Sequence, residues 1–393
     1  MSGRSQITAL LLAAFVVLAP SAAAAKSPPV DARAWALIDA RSGDVLVSHA
    51  GARHLLIAST TKLMTAYVAL RELPLDRIVR AAPYEAEYGE SLLELRPGQR
   101  ISVRDLLYGL ILRSGNDAAY DLSLAAAGTE QRFVAEMNRY AAAIGLADTH
   151  YANPIGLDQR GNYSSARDLA TLAQRLLRNR AFARIADSRT ARLRSLRPAR
   201  TIETLNDLLY DAPWTTGVKT GHTFGAAYVL VGAGQRQGTD LISVVIGAPT
   251  ETERDQASLR LLEYGFSLYR ERTPIVGGRQ IASASIRYSG GELPLRAARS
   301  ITIGLRPDQR LSVTTRAPSE VEGPIKRGAS LGRATVYVDG KRAASVPLRA
   351  GRAVEEASLL ERAASFLGDD KIPVGIALCV ILLGAVLLRR FSR

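Results

Sequence analysis

The 393-residue sequence predicts an α+β domain built on one antiparallel sheet, then a small all-β domain and a C-terminal membrane helix. Three observations carry this reading. Strand-like runs stand at both ends of residues 31–272 with helical patterns between them, which indicates one sheet assembled from both ends and not a series of βαβ units. After Thr273-Pro274 the pattern shifts to short alternating runs broken by Gly-Gly and Pro. Residues 372–388 carry no charge over 17 positions, at the short limit for a bilayer-spanning helix.

The elements follow in order. Residues 1–25 read as a secretory signal peptide: Arg4 supplies the positive start and residues 7–18 an apolar stretch too short to span. Ala23-Ala24-Ala25 then offers small cleavage positions before Lys26. Residues 26–272 form the first exported domain. In it, residues 35–39 and 45–48 pair as a hairpin through Ser42-Gly43-Asp44. Helices are expected over 59–72, 102–112 and 118–144, with Ser102-x-x-Asp105 as a capping box. Residues 218–223, 228–234 and 241–248 read as strands and 253–269 as a helix. Residues 273–350 form the β-rich domain, with strands at 280–288, 300–305, 311–315 and 334–338 and Asp339-Gly340 as a hairpin turn. A helix over 354–367 occupies the juxtamembrane stretch 351–371. Asp369 and Asp370 precede the apolar run 372–388, and Arg389, Arg390 and Arg393 lie in the tail 389–393. The positive-inside rule then leaves the tail in the cytoplasm and residues 26–371 outside.

Composition excludes several classes. The single cysteine, Cys379, permits neither an internal disulfide nor a cysteine metal site. The four histidines, His49, His54, His150 and His222, show no metal-ligand spacing. Aromatic residues are 6% and no basic block interleaves with them, so nucleic acid is not an expected partner despite a net charge of +14. The 45 arginines outnumber 6 lysines, and between Ser27 and Pro324 only Lys62 and Lys219 are lysine. Where arginine is the default cation, a retained lysine points to an amine that must be able to lose its proton.

Three short motifs hold both lysines. Ser59-Thr60-Thr61-Lys62 opens a helix expected to be amphipathic, with Leu63, Tyr67 and Leu70 on one face; the spacing places a hydroxyl beside an amine. Serine needs its proton removed before it attacks, and a lysine of lowered pKa can remove it. Ser114-Gly115-Asn116 places a hydroxyl and a carboxamide at a turn between helices. Lys219-Thr220-Gly221, followed by His222-Thr223, sets a cation and a hydroxyl on a strand suited to a substrate carboxylate, and Gly221 admits substrate backbone against the strand edge. Singly, each has a plain explanation: a helix cap beside a solvated lysine, an ordinary turn, an edge-strand lysine. Their order along the chain does not.

Ser-x-x-Lys, Ser-x-Asn and Lys-Thr-Gly in this order resemble the signature of penicillin-binding proteins and serine β-lactamases. Arg104-Asp105-Leu106, Ser114-Gly115-Asn116-Asp117-Ala118, Asn153-Pro154-x-Gly156-Leu157-Asp158, Tyr163-Ser164-Ser165-Ala166-Arg167-Asp168 and Gly217-Val218-Lys219-Thr220-Gly221-His222-Thr223 narrow it further. They are similar to the low-molecular-mass D-alanyl-D-alanine carboxypeptidases over residues 33–271, and weakly beyond. Two positions depart from that pattern, Ile57 before the Ala-Ser pair and Thr204 two residues before Asn206.

The resemblance implies a β-lactamase/transpeptidase-like catalytic domain and a serine-type carboxypeptidase that removes the terminal D-alanine from peptidoglycan stem pentapeptides, with β-lactams as covalent inhibitors and no cofactor or metal. It implies Ser59 as nucleophile, Lys62 as base and Ser114 as proton relay. Asn116 holds the substrate amide, Lys219 and Thr220 bind the terminal carboxylate, and the N–H groups of Ser59 and His222 form the oxyanion hole, with Gly221 and Thr223 completing the strand edge. A DD-endopeptidase, a β-lactamase-like hydrolase and an inactive wall-binding protein are the competing readings. Glu203-Thr204-Leu205-Asn206 is one residue too short for the deacylating segment of class A β-lactamases.

Overall fold

The structure is a computed structural model that describes residues 27–366. The signal peptide expected over 1–25 and the membrane helix expected over 372–388 lie outside the described residues. Among the described residues no helix is long and apolar enough to cross a membrane.

The chain opens with β1 (Ala34–Asp39) and β2 (Val45–His49), the expected hairpin. A 3-10 turn, Ala58–Thr61, leads into α1 (Lys62–Glu72), and β3 (Ile78–Arg80) pairs with β4 (Arg100–Ser102) across a long loop. Six helices and a second small ribbon follow: α2 (Val103–Leu112), α3 (Asn116–Ala127), α4 (Glu130–Ala143), α5 (Ala166–Leu177), α6 (Arg180–Ala186), β5 (Thr190–Leu193), β6 (Arg200–Glu203) and α7 (Leu208–Asp211). The chain then returns to the sheet as β7 (Thr215–Thr223), β8 (Ala227–Arg236) and β9 (Thr239–Ala248), and closes the domain with α8 (Glu251–Ser267).

The five-stranded sheet has the order β2-β1-β9-β8-β7, antiparallel throughout, so both chain ends of the domain do build one sheet. Alternate residues of each strand serve different layers. Ala36 and Ile38 of β1 pack with Val229, Val231, Val244 and Ile246 against α1–α6, whereas Trp35 and Leu37 pack with Leu241 and Val245 against Ala257, Leu261 and Leu262 of α8. Both faces are covered, which explains the nearly continuous apolar runs of β8 and β9.

In this domain α1 and the helix expected over 118–144 depart from expectation. The α1 helix is not amphipathic, because every residue from Lys62 to Ala69 is buried; it is the central helix of the domain, surrounded by α2–α5 and the sheet. The single helix expected over 118–144 is two, since Gly128 adopts φ 79°, a left-handed conformation that ends α3, and Thr129 caps α4 by accepting from Arg132 N. Ser102 caps α2 as expected, accepting from Asp105 N, but the Asp105 carboxylate turns outward to Ser195.

The second unit begins with β10 (Arg270–Ile275), which crosses the boundary expected at Thr273. It continues through β11 (Gln280–Ile286), β12 (Glu292–Ala297), β13 (Ile301–Leu305), β14 (Leu311–Arg316), β15 (Glu320–Val321), β16 (Ser330–Val338) and β17 (Lys341–Ala350). Six strands make a sheet ordered β14-β16-β17-β12-β11-β15, and β10 pairs with β13. Leu293, Leu295, Val336, Val346 and Leu348 fill its separate core. Asp339 and Gly340 both take positive φ, 49° and 75°, and turn β16 into β17 as expected. The helix expected from 354 starts later, as α9 (Leu359–Phe366), because Val354 is held in a β-bridge to Ile325.

Candidate active site

Three elements meet where the signature motifs lie. Ser59 sits on the 3-10 turn and Lys62 at the first position of α1, one turn below it, with Lys62 Nζ 2.9 Å from Ser59 Oγ. Nζ also donates to Ile155 O at 2.6 Å, so the carbonyl of the 153–158 segment fixes the amine under the hydroxyl. Lys62 is fully buried. Burial, then the charge of Lys219, holds its pKa well below the usual lysine value, against the opposing pull of Glu90 and Asp117. A buried amine that is neutral offers its lone pair to the Ser59 proton.

The backbone is built to this purpose. Ala58, directly before Ser59, holds φ 47°, and Ser114 holds φ 58°. Non-glycine residues at such angles are costly and persist where the surroundings over-determine them. Gly156 lies so close that a Cβ there would overlap the Ala58 carbonyl, and a Cβ on Gly221 would stand 2.9 Å from Ser59 N. Strand β7 can therefore approach Ser59 this closely only with glycine at 221.

β7 is the free edge of the sheet, so one side of its backbone remains open to pair with an extended peptide. Lys219 is fully buried in it and donates to Thr220 O at 2.7 Å. Burial and the neighbouring Arg254 lower its pKa to about 7. Thr220 is buried beside it, while the His222 imidazole leans on Tyr228 at 4.3 Å between ring centroids. Thr223 Oγ1 donates to Asp158 at 2.7 Å, and the other Asp158 oxygen accepts from Gly225 N, so the 153–158 segment supports the turn after β7 as well as Lys62.

Ser114 and Asn116 lie at the tight turn joining α2 to α3, and both are buried. Asn116 Nδ2 donates to Glu90 Oε2 at 2.6 Å, and its Oδ1 has no partner among the described residues.

Two family profiles match the chain. The profile of D-alanyl-D-alanine carboxypeptidases (peptidase S11) matches residues 21–250, and that of the penicillin-binding protein 5 C-terminal domain matches residues 269–356. The chain belongs to the D-alanyl-D-alanine carboxypeptidase family. Among relatives of this carboxypeptidase, DacC of Escherichia coli is 34% identical over 90% of the chain and 93% of its own length. Penicillin-binding protein 5 from Haemophilus influenzae superposes with a TM-score of 0.59 at 28% identity, covering 84% of the chain and all of that structure. The carboxypeptidase DacD from Francisella tularensis gives 0.60 at 26%, over 84% and 95%.

The carboxypeptidase site also uses residues that no motif announced. Arg254, fully buried on α8 and paired with Asp255 at 2.9 Å, acts on Lys219 from beneath the sheet. Ile155 contributes only a carbonyl, which leaves no trace in side-chain chemistry. Glu90 and Tyr84 arrive from the loop between β3 and β4; a carboxylate 26 residues before Asn116 gives no local signal. Of the two departures, Ile57 is buried and accepts from Thr60 N and Oγ1, closing the 3-10 turn. Thr204 accepts from Asn206 N, and the buried Asn206 amide has no partner among the described residues.

Proposed function

We propose that this carboxypeptidase releases the terminal D-alanine of peptidoglycan stem pentapeptides by the following division of labour. Lys62 takes the Ser59 proton as Oγ attacks the carbonyl of the penultimate D-alanine. The new Ser59–acyl bond replaces the amide, and the terminal D-alanine departs with a proton passed through Ser114. Asn116 holds the acyl-side amide, Lys219 and Thr220 bind the terminal carboxylate, and the N–H groups of Ser59 and His222 receive the oxyanion, an arrangement in which one donor is worth about 3 kcal/mol. Gly221 and Thr223 keep the β7 edge open to the peptide. Water then frees the acyl group. The same attack on a β-lactam carbonyl leaves a stable acyl-enzyme.

The observation that carries this reading is the buried Lys62 amine 2.9 Å from Ser59 Oγ with an acceptor carbonyl behind it. The apparent leader at 1–25 and the apolar run at 372–388 support an exported enzyme tethered by its C-terminus, with the site on the outer face of the cytoplasmic membrane. Ser59→Ala is expected to abolish both labelling by a fluorescent penicillin and D-alanine release from a pentapeptide. Persistent labelling of that variant would remove Ser59 from its role.

A further inference from the structure

The loop from residue 81 to 99, between β3 and β4, carries Glu85, Glu87, Glu90 and Glu94 against one Arg96, in a chain whose net charge is +14. It is not a loose flap. Asp117, one residue into α3, accepts from Leu93 N at 2.8 Å and Leu95 N at 3.0 Å, and Asn116 N donates to Ser91 O at 2.8 Å. Asp121, one turn on, accepts from Ala82 N at 2.8 Å. The helix that presents Asn116 thus also clamps the loop that presents Glu90.

The Glu90 carboxylate is partly exposed and closely held. Tyr84 Oη and Asn116 Nδ2 donate to Oε2 at 2.5 and 2.6 Å, and Glu87 N donates to Oε1 at 3.0 Å. Burial works against its charge, but these hydrogen bonds keep its pKa below the usual glutamate value. Glu85, Glu87 and Glu90 have no basic side chain within ion-pair distance among the described residues; Glu94 alone does, in Arg200 at 3.7 Å. A carboxylate therefore stands beside Asn116, partly exposed, with no basic side chain in ion-pair contact among the described residues.

Its neighbour indicates what would supply one. An amide nitrogen has two N–H groups. Glu90 takes one from Asn116, and in the catalytic reading above the other meets the carbonyl of the residue that precedes the D-Ala-D-Ala pair. With an ordinary bond of about 2.9 Å to that carbonyl, it and the Glu90 carboxylate lie roughly 5 Å apart across one nitrogen. A side chain of three or four carbons on that residue spans the gap. We propose that Glu90 is a specificity-determining residue that selects peptides bearing a cationic amine on the side chain of the residue before D-Ala-D-Ala, with Glu85 and Glu87 extending the negative rim. The inference rests on the assignment of Asn116 as the holder of the substrate amide.

The test compares D-alanine release by the full-length protein in detergent from three peptides. One ends in Lys-D-Ala-D-Ala with a free side-chain amine; the others carry that amine acetylated or succinylated. The expected kcat/KM order is amine, acetyl, succinyl, with amine over acetyl about five- to tenfold at low salt, the size of a partly buried charge-assisted contact. Added salt should shrink that ratio. Glu90→Gln keeps the shape and the hydrogen bonds to Tyr84 and Asn116 but should bring the ratio close to one, and Glu90→Lys should invert it in favour of the succinylated peptide. A mere loss of folding lowers all three rates together and leaves the ratio at its wild-type value, which counts against the inference, as does equal use of amine and acetyl peptides by the wild type. Wild-type protein that cleaves none of the three, while still labelled by penicillin, overturns the carboxypeptidase reading and this inference with it.

Discussion

In the proposed mechanism Lys62 and Lys219 hold opposite protonation states, Lys62 neutral as the base and Lys219 charged as the carboxylate-binding cation. Each is fully buried, and the charge of Lys219 is one reason Lys62 loses its own proton. Lys62→Arg retains a cation that cannot deprotonate, and it should lower the penicillin acylation rate by at least about a thousandfold, in the range of lost general-base catalysis. Lys219 works as a cation. Its pKa is about 7, lowered by burial and then by Arg254, so its positive form is full below that value and lost as pH rises through it. The kcat/KM profile for a D-Ala-D-Ala peptide, which reports the free enzyme, should therefore fall on its alkaline side from about pH 7. On the acid side it should fall as Lys62 gains its proton. Lys219→Arg should retain part of the activity and lose that alkaline limb, because guanidinium stays charged. A limb that persists unchanged in Lys219→Arg would assign it to another group.

At the scale of elements, the site depends on close approach of backbones, and two side chains or their absence decide it. A Cβ at Gly156 would collide with the Ala58 carbonyl in a segment where φ is already +92°. Gly156→Ala should displace the 3-10 turn that carries Ser59, and a displacement of about 1 Å can cost roughly a hundredfold in rate. The check is the acylation rate measured beside a far-ultraviolet circular dichroism spectrum that stays native. Asp117 performs the corresponding task for the 81–99 loop. Asp117→Ala leaves Leu93 N and Leu95 N without their acceptor, at about 1–3 kcal/mol for each that stays buried. Denaturant unfolding should show a lowered midpoint, and limited proteolysis should gain a cut inside the loop.

For the whole molecule, the two domains are joined by more than the chain. Arg306 of the β-rich domain donates to Asp44 at 3.1 Å and to Tyr269 Oη at 3.2 Å, and approaches Asp39 at 4.0 Å. The Arg306 side chain is 15% exposed and that of Asp39 4%, whereas Asp44 is 44% exposed, so the Asp39 side of this junction is the one out of solvent. Arg306→Ala should cost about 1–3 kcal/mol by leaving a buried carboxylate short of its cation. Calorimetry is expected to resolve two transitions where the native protein shows closer coupling. Penicillin acylation should persist, because every proposed site residue precedes Thr273. Joint loss of acylation and stability in Arg306→Ala would show that the β-rich domain takes part in shaping the site.

The sequence by itself determined the pairing of Ser59 with Lys62, proposed as nucleophile and base, and the order of the motifs, because Ser59 and Lys62 are neighbours through helical spacing alone and Lys219-Thr220-Gly221 is contiguous. It also determined the outer strands of the sheet and the Asp339-Gly340 turn, where periodicity of two and positive-φ chemistry act over a few residues. The break at Gly128 lies equally in the sequence but is a weak mark, since one glycine inside an apolar pattern ends a helix only when its neighbours supply a cap such as Thr129. What only the tertiary structure decided was everything that acts across the chain. The burial of α1 on all sides comes from the helices and sheet around it, and so does the lowered pKa of its lysine. Ile155 enters through a backbone carbonyl, which every residue possesses. Arg254 reaches Lys219 through the sheet, and Glu90 reaches Asn116 through a loop fastened by Asp117; both are charged groups in a chain rich in them, and only the fold's closure gives these two a partner and a purpose.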